Sequence, residues 1–443
     1  MSNNLKILVV DDTIFYRQLL STLIEEIPDI DLMGVASNGK IALKKIELSE
    51  PDLVIMDIVM PEMDGLEALG HIKAKYPNIN VIMVSGVDKE GAELTVKALE
   101  RGALDFIPKP KAASPDAAFA ELKSLLNPLI ALSKAMKASK EARRIYPVRE
   151  RELYFKEQVD TTTQVDTPNQ VETPTSTNSQ TNSQIKIHGF SSKVQSEDTS
   201  TNKLLTPLPS PSPISKFKKR EIKRIDVVAI GVSTGGPNTL KNIIPRISKD
   251  FPVPILTVQH MPPIFTASLA ESLNRTSAIT VVEAKENQLL ESGTMYIAPG
   301  GHHIVVRKIE EPQAQATKNS DLKIGSAIRD KSLIKNSSTI QIALVDSPPI
   351  HNCRPSVDVL FRSVAMVFGG NVLAVILTGM GHDGLSGVAA IRRKGGYSLA
   401  QDEKSSVVWG MPGAVVEANE ADEVHSEDQI AERIMELVKK SRL

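Results

Sequence analysis

Two sets of side chains in this 443-residue sequence have the types and spacing that chemistry requires. The first is acidic. Asp11 and Asp12 follow the apolar run LKILVV, Asp57 closes LVIMD, Ser85 closes NVIMVS, and Lys109 with Pro110 follows LDFIP. Three carboxylates brought together repel one another unless a cation neutralises them, and an all-oxygen ligand set suits Mg²⁺. A carboxylate beside such an ion can attack a phosphoryl group in line. Lys109 would then offset further negative charge, and the Ser85 hydroxyl would hydrogen-bond a phosphoryl oxygen. Taken singly, each of these residues reads better as a helix cap or a strand-end polar group.

The second set pairs a nucleophile with a base. Ser233 in GVSTGGP, His260 in VQHMP and Asp383 in TGMGHDG each stand just past an apolar run. A serine needs a general base, and the base needs a carboxylate to orient it. The chain order Ser, His, Asp differs from the Ser, Asp or Glu, His order of α/β-hydrolases, which argues against that family but leaves the chemistry intact. Ser233 alone reads equally well as a helix N-cap among turn glycines. Met380 and Gly381 lie in a glycine-rich turn whose amides either face a developing oxyanion or simply reverse the chain. His302, His303 and His382 compete with His260 for the base role, but none ends a strand opposite the serine turn. His71, His188, His351 and His425 read as surface or packing residues, and Cys353, the single cysteine, as a packed or incidental thiol.

These residues must be positioned by the elements around them. In the first 130 residues, strand-length apolar runs alternate with helical patterns in five β-α units, which implies a parallel sheet covered on both faces. From residue 226 the pattern repeats with DVVAIGV, PILTVQ, AITVVEA, TMYIAP, HHIVVRK and NVLAVIL as strands, interrupted at about 310–338 by a polar stretch read as a surface insertion. Between the blocks, about two-thirds of residues 160–215 are Ser, Thr, Asn, Gln or Pro, too polar to offset their ordering entropy. The expected architecture is α/β: two doubly wound parallel-sheet domains, 1–130 and 226–443, joined through 131–225 by a helical extension and a long disordered linker. In such sheets ligands bind beyond the carboxyl ends of the strands, where both residue sets fall.

Composition narrows the function classes. With 52 basic and 53 acidic side chains the net charge is −1, which gives no reason to expect nucleic acid. Residues 1–130 carry 13 basic and 20 acidic groups, the connecting segment 17 and 10, and residues 226–443 carry 22 and 23. No apolar run approaches the roughly 18 residues of a membrane span, and acids follow the first apolar stretch too closely for a signal peptide. A cytoplasmic protein with no direct membrane insertion is expected.

In order along the chain, DD, MDIVMPEMDG, VSG and DFIPKP resemble the response-regulator receiver domain over about residues 5–130. The resemblance implies that Asp57 is the phosphoacceptor, that Asp12 and Asp57 ligate Mg²⁺ with Asp11 in support, that Ser85 and Lys109 bind the phosphoryl group, and that Phe106 is the switch aromatic. A cis Lys109–Pro110 bond is a further expectation.

GVSTGGP, VQHMP, APGGHH, RPSVDVLF, TGMGHDG and QDEKSSVVWGMPGAV look like the chemotaxis receptor methylesterase family, of the CheB type, through about 226–440. That family implies a serine hydrolase acting on glutamyl methyl esters of chemoreceptor signalling helices and deamidating receptor glutamines, with a chemotaxis histidine kinase as phosphodonor relieving inhibition. Ser233, His260 and Asp383 fall on its catalytic positions and Met380 on its oxyanion-side turn. Mg²⁺ belongs to receiver phosphorylation, and the esterase reaction is expected to need no cofactor. The linker is far longer than this architecture usually has, and the insertion near 310–338 is unusual for it. The rival reading is a response regulator whose output domain only binds partners; a DNA-binding output is disfavoured by the charge balance and the lack of a helix-turn-helix pattern.

Overall fold

The computed structural model describes residues 4–111, 114–145, 221–309 and 339–443. The polar linker at 160–215 and the stretch at 310–338 lie outside the described residues, as does His188.

The first sheet contains β1 (Leu5–Val10), β2 (Ile30–Ala36), β3 (Leu53–Asp57), β4 (Asn80–Ser85) and β5 (Asp105–Pro108), all parallel in the order β2-β1-β3-β4-β5. Alternation within the strands divides two cores. Leu5, Ile7, Val9, Leu53 and Ile55 face α1 (Ile14–Glu25) and α5 (Pro115–Ile145). Leu8, Val10, Val54 and Met56 face α2 (Gly39–Leu48), α3 (Gly65–Lys75) and α4 (Lys89–Glu100). Burial on both faces is why these strands read as unbroken apolar runs.

The second sheet is also parallel. Its strands are β6 (Val227–Val232), β7 (Ile255–Gln259), β8 (Thr280–Glu283), β9 (Thr294–Ile297), β12 (Val372–Ile376), β13 (Tyr397–Gln401) and β14 (Glu423–His425), in the order β14-β13-β12-β6-β7-β9-β8. One face packs on α6 (Gly236–Ile243), α7 (Phe265–Thr276) and α11 (Glu427–Lys440). The other packs on α8 (Val357–Phe368), α9 (Leu385–Arg393) and α10 (Met411–Glu417). From β6 the chain builds outward to one side and then returns to place β12 on the other. The strand order therefore reverses between β6 and β12, the place where such sheets open a crevice.

The doubly wound architecture is as expected, with two differences of detail. The run HHIVVRK is a strand but not part of the main sheet: β10 (His303–Ile309) pairs antiparallel with β11 (Thr339–Val345) as a separate hairpin. YSLAQ and EVH, too short and polar to stand out, supply β13 and β14. The final helix of the first block runs on to Ile145.

The two sheets belong to one compact unit, and a single hydrophobic cluster runs from Val96 and Leu99 on α4 into Leu269 and Leu273 on α7. Phe106 and Phe265 pack across this join as a tilted pair, with ring centroids 4.5 Å apart and planes at 38°. Among the described residues no helix is long and apolar enough to cross a membrane.

Candidate functional sites at the two sheet rims

At the carboxyl rim of the first sheet, Asp11 and Asp57 are buried and Asp12 is exposed. One carboxylate oxygen from each lies within 4.8 Å of the others. The Lys109 ammonium stands 2.8 Å from Asp57 Oδ2 and 3.2 Å from Asp11 Oδ2. Burial pushes the Asp57 carboxyl up to about 6, against the opposing pull of Lys109. Burial works against the charge of Lys109, but its bonds to Asp57 and Asp11 outweigh that and hold it above the ordinary lysine range. Asp11 Oδ2 is buried without a hydrogen bond, 3.2 Å from the lysine ammonium. A hard-oxygen set with one unused buried oxygen fits Mg²⁺.

Two details differ from expectation. The Ser85 hydroxyl turns away from Asp57, donating to Gly91 O at 3.1 Å and accepting from Thr95 Oγ1 at 2.7 Å. The Lys109–Pro110 bond is trans, and among the described residues the cis X-Pro bond lies at Arg354–Pro355. A trans bond already lets the lysine reach both carboxylates.

At the rim of the second sheet, Ser233 leaves β6, His260 leaves β7 and Asp383 follows β12, so all three flank the reversal point. The serine turn is held by its backbone: Ser233 N donates to Thr378 O at 3.0 Å, and Ser233 O accepts from Gly236 N at 2.7 Å and Gln259 Nε2 at 3.0 Å. Gly379 makes the close approach possible, because a Cβ there would come within 2.8 Å of Ser233 Cβ and 2.4 Å of Met411 Sδ. Gly379 N is spent on Val408 O, so it is not available to face an oxyanion, whereas the Met380 and Gly381 amides follow it in the same turn.

His260 Nε2 lies 2.9 Å from Asp383 Oδ2. Asp383 also accepts from Val357 N at 2.7 Å, Asp358 N at 3.0 Å and Ser356 Oγ at 2.9 Å, which places its carboxylate at the head of α8. Burial opposes its ionisation, but these bonds and the imidazole hold it below the usual carboxylate range. For His260, burial disfavours the charged ring, yet Asp383 and Cys353 together raise it to about 9.

The arrangement brings His260 and Asp383 into contact, but it does not close the serine to the histidine. Among the described residues Ser233 Oγ forms no hydrogen bond to His260, whose Nδ1 instead faces Cys353 Sγ at 3.7 Å. Cys353, read from sequence as packed or incidental, is half-buried in the cleft. His351, also read as a bystander, lies in the same cleft with its Nε2 3.5 Å from Asp358 Oδ2. His303 is buried and bonded to Ser356 N and Pro348 O, a loop brace rather than a base.

Comparison with known proteins identifies the family. The CheB methylesterase family model matches residues 228–434, and the response regulator receiver domain model matches residues 7–116. A protein-glutamate methylesterase/protein-glutamine glutaminase of Desulfotalea psychrophila is 38% identical over 98% of this chain and 99% of its own length. The chain belongs to that family. A relative of the same name from Trichodesmium erythraeum is 36% identical over 97% of this chain and 98% of its own. The crystal structure of the Thermotoga maritima CheB methylesterase catalytic domain is 38% identical, covering 48% of this chain and 99% of that one with a TM-score of 0.41.

For this member of the methylesterase family, sequence reasoning missed several supporting groups. Gln259 ties the serine turn to the β7 end, and Ser356 with the first amides of α8 fixes Asp383. Thr234, beside Ser233, donates its hydroxyl to Asp105 of β5 at 2.6 Å. The motifs VQHMP and RPSVDVLF contain most of these residues, but a linear pattern gives no sign of which backbone amides they meet.

Proposed function

We propose that the chain is a phosphorylation-regulated serine hydrolase that removes methyl esters from chemoreceptor glutamates and deamidates receptor glutamines in chemotaxis adaptation. The observation that carries the reading is the His260–Asp383 pair at the reversal point of a parallel sheet, with Ser233 on the adjoining strand end, in a chain of this family.

Ser233 Oγ attacks the side-chain carbonyl carbon while neutral His260 takes its proton. Asp383 holds the ring orientation and stabilises the imidazolium, and an amide of Met380 or Gly381 faces the oxyanion. Collapse of the tetrahedral intermediate expels methanol, or ammonia from glutamine, with the proton returned by His260. Water then attacks the acyl-enzyme by the same route and releases the carboxylate and Ser233. The ester chemistry needs no cofactor. The open Ser233–His260 contact is the resting state, since such bonds often tighten only with substrate bound.

In the first domain, Asp57 accepts the phosphoryl group from the chemotaxis histidine kinase, with Lys109 neutralising charge and Ser85 turning inward to hydrogen-bond it. Mg²⁺, held by Asp11, Asp12 and Asp57, would supply the charge neutralisation that in-line attack requires. The domains are 1–130, receiver; 131–225, helical extension and linker; and 226–443, esterase, working in the cytoplasm on methylated receptor helices.

The test is methanol release from methylated receptor, with and without a phosphodonor. Ser233→Ala and His260→Ala should each remove nearly all hydrolysis, and Asp383→Asn should leave more. A fully active Ser233→Ala protein would sink the assignment in favour of a partner-binding output domain.

A further inference from the structure

The cleft beside His260 has a volume of about 260 Å³. Three of the eight histidines, His260, His351 and His382, and the only cysteine line it. The hydrolytic mechanism uses only His260 of these four. The surrounding carboxylates are already engaged: Asp383 caps α8, and Asp358 Oδ1 accepts from Gly384 N and Gly387 N. Asp358 Oδ2 pairs with His351 Nε2 at 3.5 Å and Arg362 at 3.8 Å, and His260 Nε2 is taken by Asp383. Cys353 Sγ and His260 Nδ1, with the imidazoles of His351 and His382, then make a borderline-soft donor set that favours zinc-like ions over Mg²⁺ or Ca²⁺.

The spacing agrees with that chemistry. At Zn–S and Zn–N bonds of about 2.3 and 2.0–2.1 Å, two tetrahedral ligands stand roughly 3.5–3.6 Å apart. Cys353 Sγ and His260 Nδ1 are 3.7 Å apart. His351 and His382 are exposed, with ring centroids 4.5 Å from each other, and a side-chain rotation would be needed to bring one of them to a third position. Chain geometry sets the Cys353 end of the pair. Ile350 and Cys353 exchange backbone hydrogen bonds across His351 and Asn352, both in the left-handed region, and this tight reversal puts His351 and Cys353 on the same cleft.

We propose that this cleft is an inhibitory binding site for a zinc-class divalent ion, held by Cys353 Sγ and His260 Nδ1 with His351 or His382 and a solvent molecule completing the shell. Binding displaces the thiol proton and locks the imidazole that the hydrolysis must use. The inhibition rests on the esterase reading; the binding itself does not.

The test uses the full chain after chelation, with excess Mg²⁺ present to occupy the carboxylates around Asp57. Co²⁺ serves as the spectroscopic probe. One equivalent should produce a thiolate-to-cobalt charge-transfer band that Zn²⁺ removes by displacement. The band should be lost in Cys353→Ser and retained in Asp57→Asn, and the double variant His351→Ala/His382→Ala should bind Co²⁺ at least tenfold more weakly. Methanol release by the wild type should fall with added Zn²⁺ and recover with chelator, and Cys353→Ser should need at least tenfold more Zn²⁺ for the same inhibition. Thermal unfolding of each metal-free variant checks that it is folded. Absence of the thiolate band in folded wild type overturns the site. A band without inhibition overturns the inhibitory role, and loss of basal hydrolysis in the wild type overturns the esterase reading instead.

Discussion

Asp358 and Asp383 cap each other's helices. Asp383, just before α9, accepts the Val357 and Asp358 amides at the head of α8, while Asp358, in the first turn of α8, accepts Gly384 N at 3.1 Å and Gly387 N at 2.7 Å at the head of α9. Each carboxylate lies where a helix amino terminus favours negative charge. The histidine partner is thus fixed by two helices whose starts depend on one another.

Asp358 should therefore act as a positioning residue for Asp383. Asp358→Ala leaves two buried amides without their acceptor and should cost about 2–4 kcal/mol of stability. Asp358→Asn keeps one acceptor oxygen and should retain most of it. Urea unfolding measures the first effect. Methanol release should show kcat falling more than KM changes in the alanine variant, with rescue in the asparagine variant; equal kinetics for all three would remove Asp358 from the argument.

The pH dependence follows from His260. In the proposed base role it must be neutral, and against burial Asp383 and Cys353 raise it from 6.5 to about 9. Hydrolysis by the unphosphorylated chain should rise with pH up to about 9, measured with chelator present. The stability contribution has the opposite sign: it is complete below 6.5 and is lost as pH rises through about 9. Cys353→Ser removes one of the raising groups, so the midpoint of its rate profile should lie at lower pH. An unchanged midpoint would falsify the coupling.

The strand ends were legible because long apolar runs mark them: Asp57 ends β3 and Ser233 follows directly on β6. The sequence carried less of what crosses between strands. Cys353 reaches His260 only through the reversal at His351–Asn352, and neither residue type is a turn signal as strong as glycine. The Ser85 orientation was illegible for another reason: a hydroxyl at a strand end can face either the phosphoryl site or α4, and here Gly91 O and Thr95 take it.

The buried Asp57 carboxyl gives a second titration. Its value of about 6 against 3.8 means that its stabilising contribution is present below 3.8 and lost as pH rises through about 6. With chelator present, Asp57→Asn, which resembles the protonated form, should raise Tm at pH 7 and leave it nearly unchanged at pH 3.5. The same variant should take no label from acetyl phosphate with Mg²⁺, whereas wild type should carry a base-labile phosphate. Full labelling at another residue would show the pocket to be misread.

The join between the two sheets supports a further prediction about control. An acidic first block followed by a basic connecting segment suggests a docked form held by charge, yet the contacts are mostly of another kind. Phe106 packs on Phe265, Glu100 accepts from Ser272 Oγ at 2.5 Å, and Asp105 accepts from Thr234 beside the serine, while the Lys241–Glu100 ion pair is long at 3.6 Å. The same β5 that carries Asp105 and Phe106 leads directly to Lys109 beside Asp57, the proposed phosphoacceptor, so a change there has a short path to Thr234. An aromatic pair of this kind contributes about 0.5–1.5 kcal/mol beyond its buried area. Phe106→Ala should therefore raise hydrolysis by the unphosphorylated chain several-fold, and a fragment starting near residue 222 should be faster still. Phosphodonor should activate wild type more than Phe106→Ala. Because apolar packing dominates, raising salt to 0.5 M should change the wild-type rate less than twofold, where a charge-held join would open. Equal rates for wild type, Phe106→Ala and the fragment, with and without phosphodonor, would show that this contact does not restrain the esterase.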